Sequence, residues 1–104
     1  MQEKLKALNE KNKEVIGARN DYIEKKLGLK KLQADLYLYG EKEIIKALGK
    51  EKPSQKDKEY FIQLKTLGYE AEVENAYSLY KGLEEEYKIL KYEFRALYFS
   101  EPQL

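Results

Sequence analysis

The second half of the chain carries apolar residues at an unbroken, alternating spacing of three and four. This apolar stripe covers five heptads, and Thr66 is its one polar member: Ile62, Thr66, Tyr69, Val73, Ala76, Tyr80, Leu83, Tyr87, Leu90, Phe94 and Leu97. Such spacing predicts one side of a long α-helix that packs lengthwise against other helices. At about 1.5 Å per residue the segment spans roughly 54 Å, which is too long for a helix inside a compact domain of this size.

Composition favours the same architecture. Of the 104 residues 38% are charged, Pro occurs twice and Trp is absent, a pattern typical of coiled coils and helical bundles. The ten tyrosines suit a thin bundle, because a Tyr buries its ring while its hydroxyl stays in water. We therefore expect an all-α protein, built as a long antiparallel helical hairpin that resembles a coiled coil.

A glycine, a proline and a serine locate the turn of this hairpin. Gly49 is placed to end a helix, and Pro53 cannot continue one. Ser54 is placed to cap the next helix, with Asp57 three residues later as in a capping box. The predicted positions are a helix at about 2–39, a turn at 49–54, a long helix at 55–99 and a frayed tail, all within one domain at 1–104.

Two glycines weaken the first helix, since each costs about 1 kcal/mol relative to Ala in a helix interior. Gly40 is the position that we expect to end or bend it, which leaves residues 41–48 as a short separate helix at the tip of the hairpin. Gly28 is the alternative position for the break.

Both helices carry apolar residues beyond the one stripe per helix that a two-helix hairpin can cover. Six of them form the predicted oligomer interface: Ile16, Ile23, Leu27, Phe61, Leu64 and Ala71. A second copy of the chain would cover this surplus with the fewest additional components. We therefore expect a homo-dimer or higher oligomer, with a two-fold symmetric four-helix bundle as the favoured assembly.

A basic group on the first helix is a candidate nucleic-acid site: Arg19, Tyr22, Lys26, Lys30 and Lys31. Cationic side chains neutralise strand phosphates, and a tyrosine ring offers a stacking surface for a base. The competing interpretation is that these long side chains reach out of a shallow groove or pair with Glu of the second helix. Residues 1–50 carry 12 Lys and Arg against 8 Asp and Glu, and residues 51–104 carry 8 against 11, which suits two helices that fold onto each other.

The absence of Cys and His excludes disulfides, thiolate and zinc chemistry and imidazole acid–base catalysis. The six glycines are isolated, so no phosphate-binding loop is formed. We therefore predict a protein that is not an enzyme, with no catalytic residue, metal or cofactor. No apolar run approaches the roughly 18 residues of a membrane span, and we expect a cytoplasmic protein without a membrane partner.

Three short motifs between residues 20 and 70 carry a family resemblance: ADLYL at 34–38, GK at 49–50 and KPSQKDK at 52–58. With these motifs the chain resembles small, uncharacterised helical-hairpin proteins from bacteriophages of Gram-positive bacteria. The resemblance implies an accessory protein of a virus or mobile element, and it supplies no catalytic residue.

Three functional hypotheses follow from these features. The leading one is a non-enzymatic accessory or adaptor protein that acts through helical contacts with an unidentified protein partner. The second is a nucleic-acid-binding accessory protein in recombination or replication, which would use the basic group. The third is a structural assembly or scaffold protein, for which the surplus apolar residues would be the reason.

Overall fold

The computed structural model describes residues 2–49 and 51–99, and within these ranges the protein consists of three α-helices without any strand. Helix α1 is Gln2–Tyr39, α2 is Glu41–Leu48 and α3 is Gln55–Phe99. These bounds coincide with the helix positions predicted from the sequence, and α1 runs through Gly28 and ends before Gly40. The tail predicted after residue 99 lies outside the described residues.

The chain divides into two compact units, each built from parts of α1 and α3. Unit 1 joins α1 up to Tyr22 with α3 from Asn75 onward. Unit 2 is Ile23–Glu74 and therefore contains α2 and the turn that precedes α3. That residues 1–104 form a single domain stays a prediction.

Within unit 1, two pairs of contacts show that α1 and α3 run antiparallel. The Lys11 Nζ lies 2.8 Å from a carboxylate oxygen of Glu86. Further along α1, the ring of Tyr22 lies 5.0 Å from the ring of Tyr77, measured between centroids. As the residue number rises along α1, the number of the contacting residue on α3 falls, as in a helical hairpin.

Unit 2 repeats this antiparallel pairing. The Gln33 amide donates a long hydrogen bond of 3.4 Å to Glu70, and the Tyr37 hydroxyl donates one of 2.9 Å to Gln55. Both bonds join α1 to α3, and again the residue number on α3 falls as the number on α1 rises.

Helix α2 is held between two glycines. Gly40 keeps helical hydrogen bonds on both sides: its N–H donates to Leu36, and its carbonyl accepts from the N–H of Ile44, each at 3.0 Å. Gly49 ends α2 in the left-handed conformation, with φ of 66°, and its N–H donates to Ile45. Only glycine adopts this conformation at little cost, which explains why α2 stops there.

Unit 2 has the more complete core. Ile44 of α2 is wholly buried, and Phe61 and Ile62 of α3 are nearly so. Thr66, the polar member of the apolar stripe, is also wholly buried, and its hydroxyl donates a 2.8 Å hydrogen bond to the carbonyl of Ile62. This bond within the helix satisfies the hydroxyl, so a threonine can occupy a core position.

Unit 1 buries much less of the apolar stripe. Among its described residues, only Val15 and Ala76 are buried hydrophobic residues. Leu83 and Leu90, which the spacing places at the centre of the stripe, are half-buried, and Leu97 is exposed. Two helices alone leave the flanks of such residues open to solvent, because each helix has a neighbour on one side only.

Candidate interaction surfaces

The five residues predicted to bind a nucleic acid do not all belong to one unit. Arg19 and Tyr22 are part of unit 1, whereas Lys26, Lys30 and Lys31 are part of unit 2. The four cationic residues are exposed, and Tyr22 is half-buried. The structure therefore brings together the three lysines, which lie within two turns of α1.

The ring of Tyr22 packs against two tyrosines of α3. It is tilted by 56° against the ring of Tyr77, and it is stacked on the ring of Tyr80 at 6.2 Å. Both distances are typical of favourable aromatic pairs in proteins. Tyr22 thus joins the two helices of unit 1, a structural role that the sequence pattern of the basic group did not indicate.

The same tyrosine cluster continues into a charged network on α3. The Tyr80 hydroxyl donates a 2.9 Å hydrogen bond to Glu84, and the Lys81 Nζ lies 3.3 Å from the same carboxylate. Lys81 also lies over two aromatic rings, with its Nζ 5.1 Å from the centroid of Tyr80 and 5.7 Å from that of Tyr77. A spacing of four residues between Tyr80 and Glu84 is the sequence signal that could have identified this contact.

These contacts shift the pKa values of the groups involved. Hydrogen bonds from Tyr80 and Lys81 hold the pKa of the Glu84 carboxyl below its ordinary value, because they stabilise the charged form. The bond to Glu84 conversely raises the pKa of Tyr80, because it requires the hydroxyl proton. The network therefore keeps Glu84 ionised and Tyr80 neutral.

A second charged contact joins the helices of unit 1 through Lys11. Its Nζ bonds to Glu86 across the helix pair at 2.8 Å and to Glu14 along α1 at 2.9 Å. Hydrogen bonds to these two carboxylates, that to Glu86 above all, raise the pKa of Lys11. This pairing of an α1 lysine with an α3 glutamate is the arrangement that the opposite net charges of residues 1–50 and 51–104 predict.

The six residues predicted for the oligomer interface differ in exposure. Ile16 in unit 1 is 40% exposed, and in unit 2 Leu27 is 61% and Leu64 57% exposed. Phe61, in contrast, is only 6% exposed and is covered within unit 2. The two remaining members, Ile23 and Ala71, are exposed.

Exposed apolar side chains greatly outnumber buried ones. Seventeen large hydrophobic residues of the described part of the chain are exposed, against five hydrophobic residues that are buried. The described part of unit 1 has two buried hydrophobic residues and eight exposed large hydrophobic residues. A folded protein exposes single apolar residues routinely, whereas large contiguous apolar patches mark interaction sites.

A hollow of about 300 Å³ lies between α1 and α3 of unit 2. We call it the Gly28 hollow, and its lining residues are Lys25, Gly28, Leu29, Leu32, Tyr69 and Glu72. No atom of the described chain outside the local helix lies within 4 Å of the place where a Cβ at Gly28 would stand. The sequence pattern identified Gly28 only as a weak point of the helix and did not indicate this hollow.

Within the described ranges, no group of three or more Asp and Glu side chains is arranged to hold a metal ion. Neither α1 nor α3, the two helices with sufficient length, contains a described segment apolar enough to cross a membrane.

Comparison of the chain with known protein families, with curated proteins and with solved structures finds no match.

Proposed function

We propose that this chain is a non-enzymatic accessory or adaptor protein that acts through helical protein–protein contacts, beginning with contacts to a second copy of itself. The observation that carries the proposal is the excess of exposed over buried apolar side chains in both units. Apolar surface removed from water stabilises an assembly by about 25 cal/mol per Å². The exposed apolar side chains gain this stabilisation only when the chain associates with a partner.

The small core of unit 1 supports the same proposal. Two buried hydrophobic residues, Val15 and Ala76, leave little burial to offset the ordering of the unit, which costs about 1–2 kcal/mol of backbone entropy for each residue. Small domains that lack a sufficient core commonly gain stability from oligomerisation. A two-fold symmetric dimer with four long helices would supply the missing neighbours of the half-buried Leu83 and Leu90.

The proposed role needs no chemistry from the chain. Its sequence contains neither His nor Cys, so an adaptor or scaffold role suits its composition better than catalysis. We place the protein in the cytoplasm, as an accessory component of a virus or mobile element. A scaffold differs from an adaptor in forming open rather than closed assemblies, and a closed dimer is the form that we propose.

The nucleic-acid hypothesis receives less support. Tyr22, its stacking residue, is engaged with Tyr77 and Tyr80. The three lysines of the basic group, Lys26, Lys30 and Lys31, are exposed, but a net charge of +1 provides little long-range attraction for a polyanion.

Lysine substitutions at the exposed apolar positions test the proposal. Leu64 is more than half exposed, so Leu64→Lys should leave unit 2 folded while it weakens self-association. Gln63→Lys is the matched control, because it adds the same charge to the neighbouring exposed position without removing an apolar group. Sedimentation velocity should show weaker association for Leu64→Lys than for the control. Equal association of the two variants would contradict the proposal.

A further inference from the structure

The Gly28 hollow is lined by both apolar and charged side chains. Leu29 and Leu32 of α1 are half-buried in its lining, and Tyr69 of α3 adds a ring that is 52% exposed. The lining contains two charged residues of opposite sign, Lys25 on α1 and Glu72 on α3. Leucines and an aromatic ring around a recess form the kind of hole into which a side chain of another helix packs.

A third helix already packs on this side of α3 elsewhere in unit 2. Phe61 and Lys65 line a hollow together with residues of α2, and Phe61 is buried there. Glu72 lies on the same face of α3 as these two residues, because it follows them by eleven and seven positions, close to whole numbers of helical turns. The face that α2 covers therefore continues to the Gly28 hollow, whose lining comes from α1 and α3 alone.

The charges of unit 2 indicate what kind of helix would cover the hollow. The α1 segment at 23–39 carries four Lys against two acidic residues. The α3 segment at 55–74 carries three Lys against five acidic residues. A second copy related by a two-fold axis would lay its α3 segment along the first copy's α1 segment, and the reverse, so that opposite charges meet at both places.

We infer that the Gly28 hollow is half of an interface between two copies of this chain. In this interface Lys25 of each copy faces Glu72 of the other, and apolar side chains fill the two hollows. The inference rests on the proposed function and adds to it the surface and the relative orientation of the copies. It also gives Gly28 a role, since any larger side chain there would occupy the space that the second copy uses.

Charge reversal tests this arrangement and separates contacts between copies from contacts within one. Lys25→Glu and Glu72→Lys should each place like charges opposite one another twice per dimer and weaken the dimer about tenfold or more. A mixture of the two single variants should recover wild-type affinity as a heterodimer, because each variant then faces its complement. Native mass spectrometry distinguishes the heterodimer if one variant carries an isotope label.

Matched controls and a second variant keep this test decisive. Lys13→Glu and Glu74→Lys make the same charge changes at exposed positions on other faces of α1 and α3 and should leave association unchanged. Gly28→Leu should improve helix propensity and still weaken the dimer, whereas Gly82→Leu, at another glycine with open space, should not.

The possible results separate this inference from the proposed function. Loss with both single variants and recovery in their mixture would support the interface. If the wild type dimerises but the mixture fails to recover, or the single variants match their controls, the inference is overturned and the proposed function stands. If the wild type does not associate at any concentration, the proposed function fails, and the interface fails with it. Circular dichroism of each variant verifies that its helices remain formed.

Discussion

Ser54 and Asp57 cap the start of α3 reciprocally. The N–H of Asp57 donates to the Ser54 hydroxyl at 3.2 Å, and the N–H of Ser54 donates to the Asp57 carboxylate at 3.0 Å. The Ser54 carbonyl accepts the first helical hydrogen bond, from the N–H of Lys58. Together these bonds satisfy backbone groups that the first turn of a helix otherwise leaves without partners.

We predict that Ser54→Ala lowers the free energy of unfolding by about 1 kcal/mol, because it removes the acceptor for the Asp57 N–H. Urea unfolding followed by circular dichroism measures the change. Ser78→Ala is the control, since Ser78 lies exposed in the interior of α3 and caps nothing. Equal unfolding midpoints for the two variants would contradict the assigned cap.

Such local signals explain how far the sequence alone predicts the fold. Gly49, Pro53 and Ser54 act through backbone conformation and hydrogen bonds to near neighbours. Their effects can therefore be predicted from a short segment of the sequence. The end of α2 and the start of α3 follow from them. The sequence favoured Gly40 as the break in α1 but left Gly28 open as an alternative, because both are glycines in a helical pattern.

Exposure was harder to predict, because it depends on contacts between distant segments. Phe61 has the spacing of a surplus surface residue, yet it is buried within unit 2, where α2 packs beside it. Tyr69 belongs to the apolar stripe, yet it remains 52% exposed at the Gly28 hollow. Periodicity identifies which residues share a helix face, but a third helix decides which part of that face is covered.

Gly40 provides a test of the α1–α2 junction. A Cβ at this position would lie 2.5 Å from the carbonyl oxygen of Leu36, a backbone atom that cannot move aside without disturbing α1. We predict that Gly40→Ala destabilises the protein by about 1–3 kcal/mol, as overpacking does. Gly68→Ala is the control: its Cβ meets open space, and it should stabilise α3 by about 0.4–1 kcal/mol. Thermal unfolding in which Gly40→Ala matches or exceeds the wild type would exclude this account of the junction.

The Glu84 network predicts a pH-dependent contribution to stability. Because folding lowers the pKa of Glu84, its contribution is present above the unfolded-state pKa and is lost as the pH falls through the folded-state pKa. Glu84→Gln should therefore be less stable than the wild type at pH 7, and the difference should shrink at about pH 3, below the ordinary Glu pKa of about 4.3.

Urea midpoints at both pH values measure this difference. Glu93→Gln, at an exposed carboxylate of the same unit, controls for the general loss of a negative charge. A difference between Glu84→Gln and the wild type that stays constant with pH would show that the carboxylate charge is not what stabilises the contact with Tyr80 and Lys81.

Nucleic-acid binding has a distinct experimental signature. We predict no measurable binding of single-stranded DNA at low salt, because the net charge of +1 gives little attraction. If Lys26, Lys30 and Lys31 did neutralise three phosphates, log affinity would fall with log salt at a slope of about −2, from about −0.7 per phosphate. Fluorescence anisotropy over a salt series distinguishes the two cases. Such a slope, abolished by replacing the three lysines with Glu, would favour the nucleic-acid hypothesis over ours.

The central claim is that the chain completes its hydrophobic core only with a second copy. Its most direct test measures the mass by light scattering and the melting temperature by circular dichroism, over a hundredfold range of protein concentration. We predict particles of twice the 12.3 kDa chain mass and a melting temperature that rises with concentration, because dissociation is then linked to unfolding. A folded particle of 12.3 kDa, with one melting temperature at every concentration, would contradict the claim.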